Sequence, residues 1–384
     1  MEFILQLTLL IVAAKLAGAL SVRLGQPSVL GEIVVGILLG PSVLGWMHET
    51  DLLSTFSRIG VILLMFMAGL ETDLNEFKRS AKSSTFVGLS GIVFPLFMGY
   101  ATGIALGLST VESWFLGLLL SATSVSISVQ TLKELNQLQS REGATILGAA
   151  VIDDVVVMVA LAALLSFTGG EVDLITVLLM KVAFFVVALL AAWKVVPWVM
   201  KLGSNLKISE PVVSTALVLC FLFAWGAEYT GVADIIGAYI AGVAIGLTKS
   251  KQMIVEKVEA IGYSLFVPVF FTLIGISAEF SGMADHWWII VLLSLLAIVS
   301  KLLGAGLGAR LSHFGWRSSA AIGAAMISRG EVALIVATIG INLNVINESL
   351  FAIIVVVVLV STIVTPPLMK LIFPPKAEGK GSLK

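Results

Sequence analysis

Charge is what this sequence has least of. Asp, Glu, Lys and Arg make up 12% of its 384 residues, about half the share found in soluble proteins. Hydrophobic residues make up 58%, and the mean hydropathy is +1.07. Such a chain cannot cover its own surface against water, so the solvent must be lipid, and reading the length as several soluble domains fails. A single cysteine, Cys220, excludes an intrachain disulfide and a thiolate metal cluster. Three histidines (His48, His286, His313) stand too far apart for an HxxxH ligand pair. A net charge of −1 with no basic tract leaves no basis for a nucleic-acid partner. The start, Met1-Glu2-Phe3, lacks the positive n-region of a cleaved signal, so the first apolar stretch reads as a retained membrane helix.

What is present is a succession of apolar runs. A spanning helix needs about 20 mostly apolar residues. Hydropathy predicts thirteen spans: 3–22, 28–45, 54–70, 83–107, 113–129, 141–167, 173–200, 209–229, 231–247, 253–279, 286–311, 316–340 and 346–373. The short tail 374–384 is expected to be disordered. On alternate loops stand Arg23; Lys78, Arg79, Lys82; Lys133, Arg141; Lys201, Lys207; Lys249, Lys251, Lys257; Arg310, Arg317; and four lysines from Lys370 onward. The opposite loops carry acids instead, Glu49, Asp51, Glu112, Glu171, Asp173, Glu279, Asp285 and Glu348. The positive-inside rule then puts the N-terminus outside and the C-terminus in the cytoplasm. Trp46, Trp114, Trp287 and Trp316 fall at span ends, as an aromatic belt requires.

Two spans share one glycine spacing, Gly31-x4-Gly36-x3-Gly40 and Gly237-x4-Gly242-x3-Gly246. Small residues at helical spacing serve close helix packing. The seven-span offset is odd, however, so the two copies run in opposite directions. The same offset pairs the fifth span, with Ser121, Thr123, Ser124, Ser126 and Ser128, with the twelfth, with Ser328-Arg329-Gly330-Glu331. Inverted repeats with interrupted helices at mid-membrane are the plan of secondary transporters. Hydroxyls there satisfy backbone that lipid would leave unpaired; helix–helix hydrogen bonding is the simpler alternative for them.

Asp153 and Asp154 lie about thirteen residues into the sixth span. A carboxylate at the bilayer centre costs roughly 2.5–3.5 kcal/mol even on the lenient insertion scale. Two adjacent ones repel if both ionise, so one needs a partner or a proton. Successive helical residues point about 100° apart, so one can face a cavity and the other a neighbouring helix. Lys301, deep in the eleventh span, is the basic candidate, because a buried lysine gives up its proton readily. A static Asp–Lys lock is the alternative. Arg329 and Glu331 are expected to neutralise each other or a broken helix end. Lys15 and Lys194 are expected to snorkel, and Arg58, Glu32, Lys181, Glu228 and Asp234 to have minor roles, with lining a vestibule as the alternative. A cavity carboxylate exposed alternately to two sides can hold a proton or a small cation, and competition alone then yields exchange. Hydroxyls, carbonyls and carboxylates are hard donors suited to alkali cations.

At these residues the chain resembles the NapA/GerN-type bacterial Na⁺/H⁺ antiporters, within the cation:proton antiporter-2 family. The resemblance rests on Phe66-Met-Ala-Gly69-Leu70-Glu71-Thr-Asp73, Ala122-Thr123-Ser124-Val125, Asp153-Asp154, Lys301 and Arg329-Gly330-Glu331. It implies an all-α membrane protein of the NhaA-like antiporter fold with two crossed discontinuous helices. It further implies a core domain (about 83–167 and 286–373) moving against a dimerisation scaffold (about 1–70 and 173–279) in a homodimer of the bacterial inner membrane. By resemblance, Asp154 is the ion-binding carboxylate, Asp153 its partner bonded to Lys301, with Thr123 and Ser124 at the unwound crossing. The alkali cation would sit on Asp154, Asp153 and Thr123. The implied activity is electrogenic exchange of cytoplasmic Na⁺ (also Li⁺, with K⁺ a candidate) for external protons, with no cofactor and no enzymatic step. No nucleotide-binding regulatory domain of the Kef type is expected after Phe373. A Kef-like potassium efflux system is the alternative, without a TVGYG-like filter to support a channel. Adjacent carboxylates diverge on one helix, which disfavours an aspartyl protease.

Overall fold

The computed structural model describes residues 2–167, 174–278, 287–342 and 345–373. The tail 374–384, expected to be disordered, and the side chain of Glu331 lie outside the described residues. The helices are α1 (Glu2–Arg23), α2 (Ser28–Leu39), α3 (Asp51–Glu71), α4 (Leu74–Ala105), α5 (Thr110–Ser121), α6 (Val125–Glu134), α7 (Arg141–Phe167), α8 (Leu174–Leu190) and α9 (Val196–Ser204). They continue as α10 (Pro211–Tyr229), α11 (Asp234–Gly246), α12 (Lys251–Ile261), α13 (Val267–Ile276), α14 (Trp287–Leu311), α15 (Trp316–Ala325), α16 (Glu331–Asn342) and α17 (Glu348–Ile372). Among the described residues, ten helical stretches are long and apolar enough to cross a bilayer, and 28–39, 234–246 and 332–341 are shorter apolar helices.

Local chemistry explains the boundaries. Thr50, Asp73 and Asn347 cap α3, α4 and α17 with side-chain oxygens, and Ser109 with Glu112 forms a capping box on α5. The fourth span therefore begins at Leu74, nine residues earlier than hydropathy places it, because the Asp73 cap precedes a polar first turn. The second span ends at Leu39, before Gly40 and Pro41, rather than at 45. Two long spans widen by a π-turn, Ala191–Val195 and Gly262–Phe266. Each precedes a proline, Pro197 or Pro268, which removes a backbone donor that the widened turn absorbs.

The glycine triplets do equivalent work in both copies. A Cβ on Gly31 would stand 2.2 Å from Ala17 O, and one on Gly237 2.0 Å from Phe223 O. Gly36 meets Thr272 O (2.0 Å) on α13, and Gly242 meets Phe66 O (2.2 Å) on α3. Thus α2 packs on α1 and α13 as α11 packs on α10 and α3. Elsewhere α4 packs on α5, α7 and α14, and α14 on α15 and α17. Faces of α1 and α8 expose large apolar side chains such as Leu5, Leu16, Leu179 and Val187, whereas α5 and α6 are enclosed. That inside-out pattern suits a protein dissolved in lipid.

Candidate ion-binding site

Two helices are broken where the hydroxyl-rich stretches fall. Residues Ala122–Ser124 interrupt α5 and α6, and residues 326–330 interrupt α15 and α16. The breaks meet: Ser124 N donates to Ser328 O at 2.8 Å, and Ser328 Oγ donates to Ser124 O at 2.7 Å. Ser128 Oγ donates to Ala325 O, and Thr362 Oγ1 to Arg329 O at 2.6 Å. A Cβ on Gly330 would lie 2.7 Å from the Ser124 side chain, so the approach requires glycine. Arg329 is buried and gathers three carbonyls: Ile327 O (2.9 Å), Leu120 O (2.5 Å) and Ala297 O (3.0 Å). Leu120 O belongs to the negative end of α5, so the guanidinium neutralises a broken helix end; the expected pairing with Glu331 lies outside the described residues.

Beside the crossing, Lys301 Nζ donates to Asp153 Oδ1 at 2.9 Å, tying α14 to α7 with both side chains essentially inaccessible. Asp153 Oδ2 makes no hydrogen bond, and the Thr123 hydroxyl stands next to that carboxylate without closing one of ordinary geometry. Asp154, one residue on, lines a cavity of about 620 Å³ together with Gly330, Met158 and Phe270. The two carboxylates therefore do face different surroundings. The chain folds so that Asp153, Asp154, Thr123, Ser124, Lys301 and Arg329 share one region, drawn from four separate helical spans.

The mouth of that cavity is lined by residues expected from the sequence to have minor roles. Arg58, Glu228, Asp234 and Glu49 line it at the acidic-loop end. Arg58 bridges Glu228 at 2.5 Å and Asp234 at 2.7 Å, joining α3, α10 and α11. A hint was available: Arg58 is a lone base at an end otherwise populated by acids. Lys181, assigned a minor role near a span end, is buried, donates to Gly231 O at the cavity edge, and interacts electrostatically with Asp154. Lys15, at an exposed position, donates its ammonium to Tyr263 O at 2.6 Å. A separate cavity of about 510 Å³ opens at the basic-loop end, lined by Gln130, Lys133, Glu134 and Lys370 but not by Asp154.

Broken helices meeting over buried carboxylates in an all-helical membrane protein define a secondary-transporter scaffold. The chain belongs to the sodium/hydrogen exchanger transmembrane family, whose profile matches residues 9–372. It is 50% identical over 384 residues to the Na(+)/H(+)-K(+) antiporter GerN of Bacillus cereus, covering 100% of this chain and 99% of that one. It is 50% identical over 374 residues to the probable Na(+)/H(+) antiporter GerT of the same organism (97% and 100% covered). It is also 43% identical over 375 residues to the Na(+)/H(+) antiporter of Enterococcus hirae (96% and 98% covered). Among solved structures it resembles the sodium proton antiporter MjNhaP1 from Methanocaldococcus jannaschii, with a TM-score of 0.69 at 17% identity, covering 97% and 96% of the two chains. At that identity the likeness speaks for the fold. The relatives named here are transporters, not enzymes.

Proposed function

We propose that this protein is a monovalent cation:proton antiporter exchanging Na⁺ for H⁺, with Li⁺ and K⁺ as further cargo. The observation that carries the reading is Asp154 lining a cavity of about 620 Å³, near two helix breaks and a buried Asp153–Lys301 pair. A carboxylate so placed binds either a proton or a hard cation, and exchange follows because one must leave before the other enters. Thr123 and Ser124 contribute oxygens at the crossing, and Arg329 with Glu331 supports the broken helix. The Kef-like potassium efflux alternative is disfavoured, because relatives half identical along the whole chain are Na⁺/H⁺ antiporters.

The finer reading has thirteen spans in an NhaA-like inverted repeat. The N-terminus lies outside and the C-terminus in the cytoplasm of the bacterial inner membrane. The basic loops support that orientation, and it makes the cavity over Asp154 outward-facing. The core (about 83–167 and 286–373) moves against the scaffold (about 1–70 and 173–279) within a homodimer. When the core moves, Asp153 and Lys301 separate, and release of a second proton makes the exchange electrogenic. Each net charge then gains about 2.3 kcal/mol per 100 mV, and each proton about 1.36 kcal/mol per pH unit.

Proton flux in everted vesicles, on addition of Na⁺, Li⁺ or K⁺, tests this. Wild type responds to cation, and Asp154→Asn does not. Full exchange in that variant, or proton flux that ignores the cation, refutes the reading. Exchange indifferent to a clamped potential, without a pH gradient, refutes the electrogenic form.

A further inference from the structure

The cavity at the basic-loop end contains a set of oxygens with nothing to bind them. Gln130, on α6, is only 8% exposed. Its Nε2 donates to Glu134 Oε1 at 2.9 Å, which fixes the amide, since the flipped rotamer would set a carbonyl against a carboxylate. Oε1 is thereby left buried without a hydrogen-bond partner. Gln26 Oε1 and the Tyr263 hydroxyl, from residues lining the same cavity, are also buried without one. An unsatisfied buried polar atom is costly and calls for an explanation. Three around one cavity call for a ligand.

The unpaired acceptor oxygens select its sign. Glu134 and Lys133 line this cavity, and Lys133 holds the Glu71 and Glu259 carboxylates beside it. The ammoniums facing these carboxylates are already engaged. Lys133 bonds Glu71 at 2.6 Å and also Glu259, Lys15 bonds Tyr263 O, and Lys370 bonds Gly25 O. The unpaired oxygens are acceptors, and these three ammoniums do not donate to them, so a cation is the ligand they fit. An all-oxygen set rich in neutral carbonyls suits an alkali cation rather than a soft transition metal. A divalent ion would draw more carboxylate ligands. Amide carbonyls also do not titrate in the working pH range, so such a site takes the cation without taking its competitor, the proton.

Position gives the site a use. Ser126, Gln130 and Glu134 are spaced four apart on α6 and form one face. That face runs from the crossing to the cavity, and Gln130 lies about 9 Å along the helix from Ser124. We propose that the basic-end cavity holds a monovalent alkali cation on Gln130 Oε1 and Gln26 Oε1, beside a Glu134 carboxylate already engaged by Ser28 N and Ser28 Oγ, a loading site ahead of Asp154. The proposal rests on the antiport reading for its purpose, though not for its ligands.

The test uses the purified full chain carrying Asp154→Asn, with NaCl or KCl titrated against choline chloride at constant ionic strength. The melting temperature is expected to rise with Na⁺ or K⁺ but not choline, and adding Gln130→Leu is expected to abolish that rise. Gln26→Leu, at a part-exposed position, should weaken the cation response at least threefold if Gln130→Leu does not fold. In vesicles, Gln130→Leu should raise KM about tenfold for cation offered at the basic-loop face only. No alkali-specific stabilisation in Asp154→Asn, or stabilisation that survives both glutamine changes, overturns the loading site. Loss of that stabilisation with exchange still dependent on Asp154 leaves antiport standing. Exchange that survives Asp154→Asn would instead sink the Asp154 reading, whatever happens at Gln130.

Discussion

Replacing Lys301 by methionine isolates what the buried pair contributes. Lys301 Nζ and Asp153 Oδ1 lie 2.9 Å apart with no access to solvent, so neither partner has water to fall back on. Removing one member of such a pair destabilises by about 3–5 kcal/mol, because the survivor is left as a buried unpaired charge. Replacing both with apolar residues of similar volume is about neutral, or stabilising by about 1–4 kcal/mol. An unfolding entropy of about 2.1 cal/mol/K per residue gives roughly 0.8 kcal/mol/K for a chain of this length. Lys301→Met should therefore lower the melting temperature by about 4–6 °C, and Asp153→Leu/Lys301→Met should restore most of the loss. Thermal denaturation in detergent measures both, and the non-additivity of the double variant reports the coupling. A fall below about 1 °C in the single variant, or a double variant as unstable as the summed singles, refutes a pair that stabilises by mutual neutralisation. Lys301→Met should also abolish voltage dependence while cation-dependent proton flux persists, if the pair supplies the second proton.

Two further substitutions probe packing and the outer mouth. Gly242→Ala drives a methyl to 2.2 Å from Phe66 O and must part α11 from α3, at about 1–3 kcal/mol or more. Gly226→Ala, on α10 with open space around it, should stabilise by about 0.5–1 kcal/mol, and parallel melting curves check the opposite signs. Arg58→Gln leaves Glu228 and Asp234 without their cation, and the more negative mouth should raise the cation on-rate. That gain should fade as ionic strength rises toward physiological values, where the screening length is about 8 Å. Flux measured at low and high choline chloride decides it, and a salt-independent change would contradict the electrostatic account.

The features most legible in the sequence are those that lipid penalises. Asp153, Asp154 and Lys301 stand out because a bilayer excludes charge unless something holds it, and the positions of the helix breaks follow from hydroxyls and an arginine set in apolar runs. The glycine triplets marked where helices pack closely, because backbones cannot approach to van der Waals distance past a Cβ. Hydropathy could not set span ends that depend on a cap such as Asp73, nor foresee π-turns ahead of Pro197 and Pro268.

Partnership across distant spans was decided by tertiary structure alone. That Arg58 meets Glu228 and Asp234, that Lys15 reaches Tyr263 O, and that Arg329 collects carbonyls from three elements depends on packing no local pattern encodes. The same holds for the unpaired oxygens of Gln26 and Gln130. In sequence they are ordinary polar residues near span ends, and only the fold withdraws them from water and sets them around one cavity. The sequence by itself determined where charge had to be protected, because the solvent sets that cost residue by residue. The tertiary structure decided what protects it, because partners are chosen by distance in space.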